Sequence, residues 1–314
     1  MLAWILRFAL ALEVLLYGSL VSRIRGETGL VLLLWGVLGV LLVRLLFCSL
    51  TFLISAGGRP PLRPSAWLRL WAREYAAFVA NYVLISPFEC WWMGSDRLDP
   101  ARRGAPVILI HGFSCSRAAW WFMRRRLDAA DLNVATLSLE PLYVDIERYL
   151  PQLSQRIDAV LAQTGASQVV LIGHSMGGLV ARAWMARNCS ERVQRLITLG
   201  TPHGGSRLAH LAPGRNGRQM EPGNDWLTAL NAGGVPPVDT LTVYCEHDNY
   251  VAPAVHLQLP GARRIVLEGI GHLSLLYSSQ VASLLIAELA PASVACADAG
   301  NATHGNDEQL CWKR

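Results

Sequence analysis

Hydrophobic positions along this chain fall into three regimes. The first begins at once: Leu2–Val21 is a 20-residue apolar run interrupted by Arg7 and Glu13, and Gly29–Ile54 is a 26-residue run whose only charge is Arg44. A helix needs about 20 apolar residues to cross a hydrocarbon core of about 30 Å, so the second run predicts a spanning helix with some tilt. The first predicts another, although two ionisable groups inside lipid are costly. A signal peptide is the competing reading, but no Ala-x-Ala-like site follows, and Arg23 and Arg25 do. The polar turn Ser22–Thr28 then joins two transmembrane helices into a hairpin over residues 1–56.

Residues 57–104 form the second regime. Gly57-Gly-Arg-Pro-Pro-Leu-Arg-Pro64 breaks any helix and reads as a linker. Trp67–Ile85 returns to helical spacing, with Trp67, Leu70, Trp71, Tyr75, Phe78, Val79 and Tyr82 on one broad face. Such a stripe fits a helix packed on its own domain. Beside a membrane anchor it fits an amphipathic helix at the bilayer interface equally well.

From residue 105 to 290 short apolar runs alternate with helical segments. The runs are Val107–Ile110, Val134–Leu139, Val169–Ile172, Leu196–Leu199, Leu241–Cys245 and Arg264–Leu267; helices are expected near Arg117–Ala130, Val144–Gln163, Met176–Asn188, Pro253–Leu257 and Leu273–Leu289. Alternation of this kind predicts an α/β domain: a mostly parallel sheet with helices on both faces. Residues 291–314 are polar and read as a loosely held tail, in which Asn301-Ala-Thr303 matches a glycosylation acceptor that a cytoplasmic setting would leave unused.

Composition adds location. Hydrophobic residues make up 52% and charged ones 16%, too apolar for an ordinary cytosolic enzyme, and the excess sits in the first regime. Arg59, Arg63, Arg69 and Arg73 beyond the second span outnumber Arg23 and Arg25 in the turn, which places the remainder on the cytoplasmic side. Seven cysteines, an odd number without framework spacing, suit reduced thiols there. Neither a Cys-x-x-Cys nor a His-x-x-x-His pattern calls for a metal, and no cofactor is expected. The net charge of +5 carries no basic stripe interleaved with aromatics, so nucleic acid is not an expected partner. Oligomeric state is not legible.

Candidate chemistry centres on residues 168–178. A β-branched run ends in Gly173-His174-Ser175-Met176-Gly177, and an amphipathic segment follows. This is the G-x-S-x-G turn, in which glycines two places before and after the serine permit a sharp strand-to-helix bend that lifts the hydroxyl clear of the sheet at a helix N-terminus. A serine is a poor nucleophile unless a base takes its proton and an acid orients the base. In such sheets the partners follow in the order Ser, Asp/Glu, His, each just after a strand. Asp248, after Leu241–Cys245 and ahead of Val-Ala-Pro253, and His272, after Arg264–Leu267 and Gly271, occupy those places. Glu246 is a rival acid, and Asp248 has an alternative use capping the short helix at Pro253. His247 reads as a solvated loop residue and His174 as one packed beneath the turn, while His203 and His210 lack the chain order. For the oxyanion, the Met176 N–H is one donor; the other is the Phe113 N–H, after His111-Gly112, where glycine allows close approach. Trp120, Trp121, Phe122 and Trp226 are candidates for an acyl pocket.

Taken together, Val-Ile-Leu-Ile-His-Gly-Phe113, Gly-His-Ser175-Met-Gly-Gly-Leu-Val-Ala-Arg, Leu-Gly-Thr-Pro-His-Gly-Gly-Ser206, Asp248-x-x-Val-x-Pro, Gly271-His272 and the stretch Glu221–Leu230 resemble the α/β-hydrolase fold, and within it the bacterial triacylglycerol lipase and esterase group, over residues 105–290. The resemblance implies hydrolysis of lipid or small-molecule carboxylic esters at a Ser175–His272–Asp248 triad, here at a bacterial inner membrane. The hairpin has no counterpart in the secreted lipases. About 35 Gly- and Pro-rich residues after Ser206 leave little room for a large helical lid, and the calcium site of some lipases cannot be placed. The same acyl-enzyme would serve an acyltransferase or a thioesterase, and an idle fold kept as a membrane scaffold or transport component is the non-enzymatic alternative.

Overall fold

In the computed structural model, residues 1–57, 59–102, 104–188 and 190–290 are described. The tail with Asn301, and Cys189, Cys296 and Cys311, lie outside them.

Both apolar runs are helices: α1 (Leu2–Arg25) and α2 (Leu30–Ile54), each long and apolar enough to cross a membrane. They pack as an antiparallel hairpin because small residues let the backbones meet. A side chain at Gly18 would touch the Leu32 carbonyl at 2.8 Å, and one at Gly36 would strike that of Val14. The charges inside the runs find each other, with Arg44 Nη2 2.6 Å from Glu13 Oε2. Arg7 lies over the rings of Trp4 and Phe88 and donates to the Pro87 carbonyl. Both interruptions of the first run are therefore paired.

α3 (Pro64–Val79) starts with proline at its first position and continues as a π-helical stretch, Ala80–Ile85. Its aromatic stripe packs inward. Trp67, Trp71 and Tyr75 cover Cys48 and Phe52 of α2. Trp71 Nε1 donates to Ser49 Oγ at 3.1 Å, and the Tyr75 hydroxyl to the Leu41 carbonyl at 2.9 Å. A single turn, α4 (Glu89–Trp92), follows.

The strands are β1 (Val107–Ile110), β2 (Val134–Leu137), β3 (Val169–His174), β4 (Val193–Leu199), β5 (Asp239–Cys245) and β6 (Arg263–Leu267), all parallel, in the order β2-β1-β3-β4-β5-β6. Covered on both sides, β1 and β3 are buried throughout, which is why they read as unbroken apolar runs. Alternate residues feed two cores. Ile108, Ile110 and Leu171 pack with α6 (Leu150–Thr164) and α7 (Met176–Arg187); Val107, Leu109 and Ile172 pack with α5 (Trp121–Ala129) and α10 (Ser279–Leu289). Between Ser206 and β5 only short helices occur among the described residues, chiefly α8 (Gly214–Gln219) and α9 (Asp225–Ala232).

Several expected helices are shorter than their periodicity. The one over Leu273–Leu289 splits into a 3-10 turn, Ser274–Tyr277, and α10, because Ser278 leaves helical geometry and its hydroxyl caps the Val281 N–H. Those near Arg117 and Val144 likewise open as 3-10 turns capped by Ser116 and Asp145.

Candidate active site

The chain reverses its direction of sheet growth between β1 and β3, so the loops leaving these neighbours diverge and open a crevice at their carboxyl ends. Ser175 sits there, between β3 and α7, at φ 53° and ψ −126°, a conformation that a non-glycine residue adopts only at a cost. The flanking glycines are sterically required. A side chain at Gly173 would strike the Gly178 backbone, and one at Gly177 the Ile110 carbonyl. Gly112 lies just as close, since a Cβ there would stand 2.8 Å from that of Ser175.

The two expected oxyanion donors flank this point. Met176 opens α7, where an N–H has no intrahelical acceptor, and the Phe113 N–H donates to no described residue. His111 secures the loop: its Nε2 accepts from the Leu139 N–H at 2.9 Å, so Nδ1 carries the hydrogen and donates to the Gly112 carbonyl at 2.8 Å. Burial pushes the His111 ring down to about 4, which keeps it neutral.

Asp248 and His272 meet, with Oδ2 2.7 Å from Nδ1. The other carboxylate oxygen accepts the N–H groups of Tyr250 and Val251, each at 2.8 Å. Both side chains are buried. For His272, burial disfavours the imidazolium, but the charge and hydrogen bond of Asp248, aided by Glu74, outweigh it and lift the ring above its ordinary value. His174 packs beneath the turn and donates from Nε2 to the His272 carbonyl at 3.0 Å; burial, then His272 itself, holds it well below the usual histidine range. His203 is buried beside Arg182, and His210 lies near Glu221 on the surface. Neither reaches the serine. His247 corrects the sequence reading: it is buried, and its ring donates to the Pro60 carbonyl at 2.9 Å, tying the acid loop to the linker.

Ser175 and His272 line one cavity of about 430 Å³. Among the described residues no hydrogen bond joins their side chains, a contact that commonly tightens only when substrate binds. The aromatics expected to line an acyl pocket do not reach it. Trp120 is fully buried in the core and Phe122 packs on Tyr277; Trp121 packs on Trp92, and Trp226 bonds Glu147 at 2.8 Å. The 3-10 turn after β1 carries the first three away from the crevice. Apolar walls come instead from Phe47, Leu50 and Ile54 of α2, Phe78 and Tyr82 around α3, and Phe113, Leu208 and Leu211.

Three supporting groups were not among the expected site residues. Glu74 of α3 is fully buried and accepts the N–H groups of Leu273 and Ser274 at 2.8 and 2.9 Å, and Gly271 is glycine because a Cβ would meet that carboxylate. Asn249 accepts the His272 N–H at 3.2 Å and donates to Thr51 Oγ1 of α2 at 2.8 Å. Gly200, at φ 56°, leaves room for the Asp248–His272 pair; a Cβ would lie 3.1 Å from His272 Nδ1 and 3.3 Å from Asp248 Oδ2. No group of metal-ligating side chains occurs among the described residues. A second cavity of about 520 Å³, beside Trp92, Trp121 and Arg124, holds none of these residues.

Comparison with known proteins agrees with this architecture. Residues 129–212 match the family described as PGAP1-like alpha/beta domain. A triacylglycerol lipase of Pseudarthrobacter phenanthrenivorans is 36% identical over 112 residues, which are 33% of this chain and 35% of the lipase. One of Vibrio cholerae is 33% identical over 135 residues, 39% of this chain and 42% of the relative. The chain thus spans well under half the length of these relatives. Among solved structures, the mature Bacillus licheniformis lipase BlEst2 superposes with a TM-score of 0.54 at 19% identity, over 64% of this chain and 97% of that one.

Proposed function

Proceeding from an α/β-hydrolase fold of the lipase and esterase-like kind, we propose that this chain is a membrane-anchored serine hydrolase that cleaves carboxylic esters. One observation carries the reading: His272, paired at 2.7 Å with a buried and fully bonded Asp248, shares a cavity with a serine held at positive φ. Nothing in core packing calls for that combination. Acyl transfer does.

In the proposed cycle, Ser175 Oγ bonds to the ester carbonyl carbon while His272 Nε2 takes its proton. The carbonyl oxygen becomes an oxyanion held by the Phe113 and Met176 N–H groups, each worth about 3–4 kcal/mol in a preorganised site. Asp248 keeps the hydrogen of His272 on Nδ1 and stabilises the imidazolium. Collapse breaks the bond to the alcohol, which leaves with the proton from His272. Water, deprotonated by the same ring, then attacks the acyl-enzyme and releases the acid and Ser175.

The anchoring part rests on the length and apolarity of α1 and α2 and on the pairing of Arg44 with Glu13, which lowers the cost of both charges in lipid. Both free ends of the hairpin face the α/β domain, since the amino terminus lies 2.9 Å from Glu140 and α2 runs into the linker. With the arginines that follow α2, this favours a domain on the cytoplasmic side.

Replacing Ser175 with alanine should lower ester turnover by on the order of 10⁴-fold or more and abolish labelling by a fluorophosphonate. Near-normal turnover by Ser175→Ala, or folded wild-type protein that is never labelled, would end this reading.

A further inference from the structure

One wall of the Ser175 cavity comes from outside the α/β domain. Phe47, Leu50, Thr51 and Ile54 of α2 line it, at the spacing i, i+3, i+4, i+7 that makes one stripe of a helix. Leu50 is 48% exposed and Ile54 37%, so the stripe faces both the cavity and whatever surrounds the helix. Leu208 and Leu211, the latter 72% exposed, line the same cavity. Apolar side chains thus predominate in the lining around Ser175 and His272.

Depth follows from helix geometry. At 1.5 Å per residue the 25 residues of α2 extend about 37 Å, several ångströms more than a hydrocarbon core of about 30 Å. A spanning α2 of that length carries its last turn to where acyl chains meet headgroups, with Leu50 and Phe47 one and two turns deeper. The helix is also held against the site, through Thr51 to Asn249 and, just past its end, through Arg59 to the Asp248 carbonyl at 2.9 Å. A cavity that opens between a lipid-facing helix and apolar loops, at that depth, receives its ligand from the bilayer rather than from water.

We propose that the face of α2 formed by Phe47, Leu50 and Ile54 is the acyl-chain subsite, and that the substrate is an ester of a membrane lipid. Its fatty acyl chain slides sideways out of the bilayer along this stripe until the ester carbonyl reaches Ser175. The inference rests on the serine-hydrolase reading above and adds to it the substrate class and the route of entry. An acyl chain taking this route exchanges lipid tails for Leu and Phe side chains and never crosses water. For a chain arriving from water, each buried methylene would instead favour binding by about fourfold, a gain that a chain already in lipid has made on partitioning.

Two measurements on the full-length protein in phosphatidylcholine vesicles test this. The first is the ratio of kcat/KM for p-nitrophenyl dodecanoate to that for the butyrate. Leu50→Trp should fill the subsite and lower the ratio tenfold or more, whereas Leu34→Trp, on the same helix but remote from the cavity, should leave it unchanged. The second needs no variant: a long-chain alkylphosphonate with a terminal diazirine is allowed to react with Ser175 and is then photolysed, and the cross-linked peptide should contain residues 44–54. Cross-links confined to residues 208–213, or a ratio that Leu50→Trp does not move while turnover persists, overturn the subsite. Loss of all Ser175 labelling and of butyrate turnover in the wild type is a different result, because it removes the serine-hydrolase reading itself and the subsite with it.

Discussion

At His272, two opposing effects meet on one imidazole. Burial strips water from the charged ring, while Asp248 at Nδ1 and the nearby Glu74 restore its stability, and the balance lifts its pKa above the ordinary 6.5. A general base must be neutral to accept the serine proton. The ester kcat/KM should therefore rise with pH and reach half its plateau above pH 6.5, as a pH–rate profile will show. A profile flat through the neutral range would remove His272 from the role. At this scale the candidate site was legible because the geometry that exposes Ser175 is steric and local. Gly173, Gly177 and Gly112 stand where any side chain would strike backbone or Ser175, and glycine spacing is visible without a fold. Gly200 was visible only as part of a motif, and its place against Asp248 and His272 was not, since these lie 48 and 72 residues further on.

Among the elements, α3 does the least expected work. Its periodicity announces an aromatic face but gives no sign that Glu74, a charged residue on the same helix, is fully buried. The two N–H groups it accepts lie 199 and 200 residues away, beyond the reach of any local pattern. Removing the carboxylate in Glu74→Ala would leave both buried donors unmet, at about 1–3 kcal/mol each, and loosen the turn that carries His272. Thermal unfolding should register that loss. Glu74→Gln keeps the shape but not the charge, and because the carboxylate helps lift the His272 pKa, the midpoint of the pH–rate profile should move to lower pH. A midpoint that stays put would confine Glu74 to a structural part. Strands β1 and β3, by contrast, were readable, because burial on both faces leaves them no polar alternation to confuse with a helix, whereas β4 begins three residues before its expected run, where Gln194 and Arg195 break the apolar pattern. The acyl-pocket aromatics failed for the complementary reason. Trp120 and Phe122 are apolar enough for a pocket or a core, and only the 3-10 turn that opens at Arg117 and ends at Trp120 decides which.

For the molecule as a whole, the two parts that composition separates so cleanly, an apolar hairpin and an ordinary α/β domain, are stitched into one another. Met1 meets Glu140, Arg7 meets Pro87, Thr51 meets Asn249, and His247 reaches back to Pro60. Each contact joins a residue within or beside the hairpin to one far along the chain, so the sequence displays both parts and conceals their junction. One short path across it reaches the site: Thr51 in the last turn of α2 bonds Asn249, and Asn249 bonds the His272 N–H. A spanning helix adjusts its tilt to the thickness of the bilayer around it. Here that tilt would be felt at the base of the reaction. If the proposed anchor and triad hold, membrane thickness becomes an input to turnover, a mechanical setting rather than a chemical one. In vesicles of short-, medium- and long-chain phosphatidylcholine, kcat for a single soluble ester should pass through an optimum, and Asn249→Ala should flatten that dependence; equal kcat in all three would show that the helix bears load without passing it on.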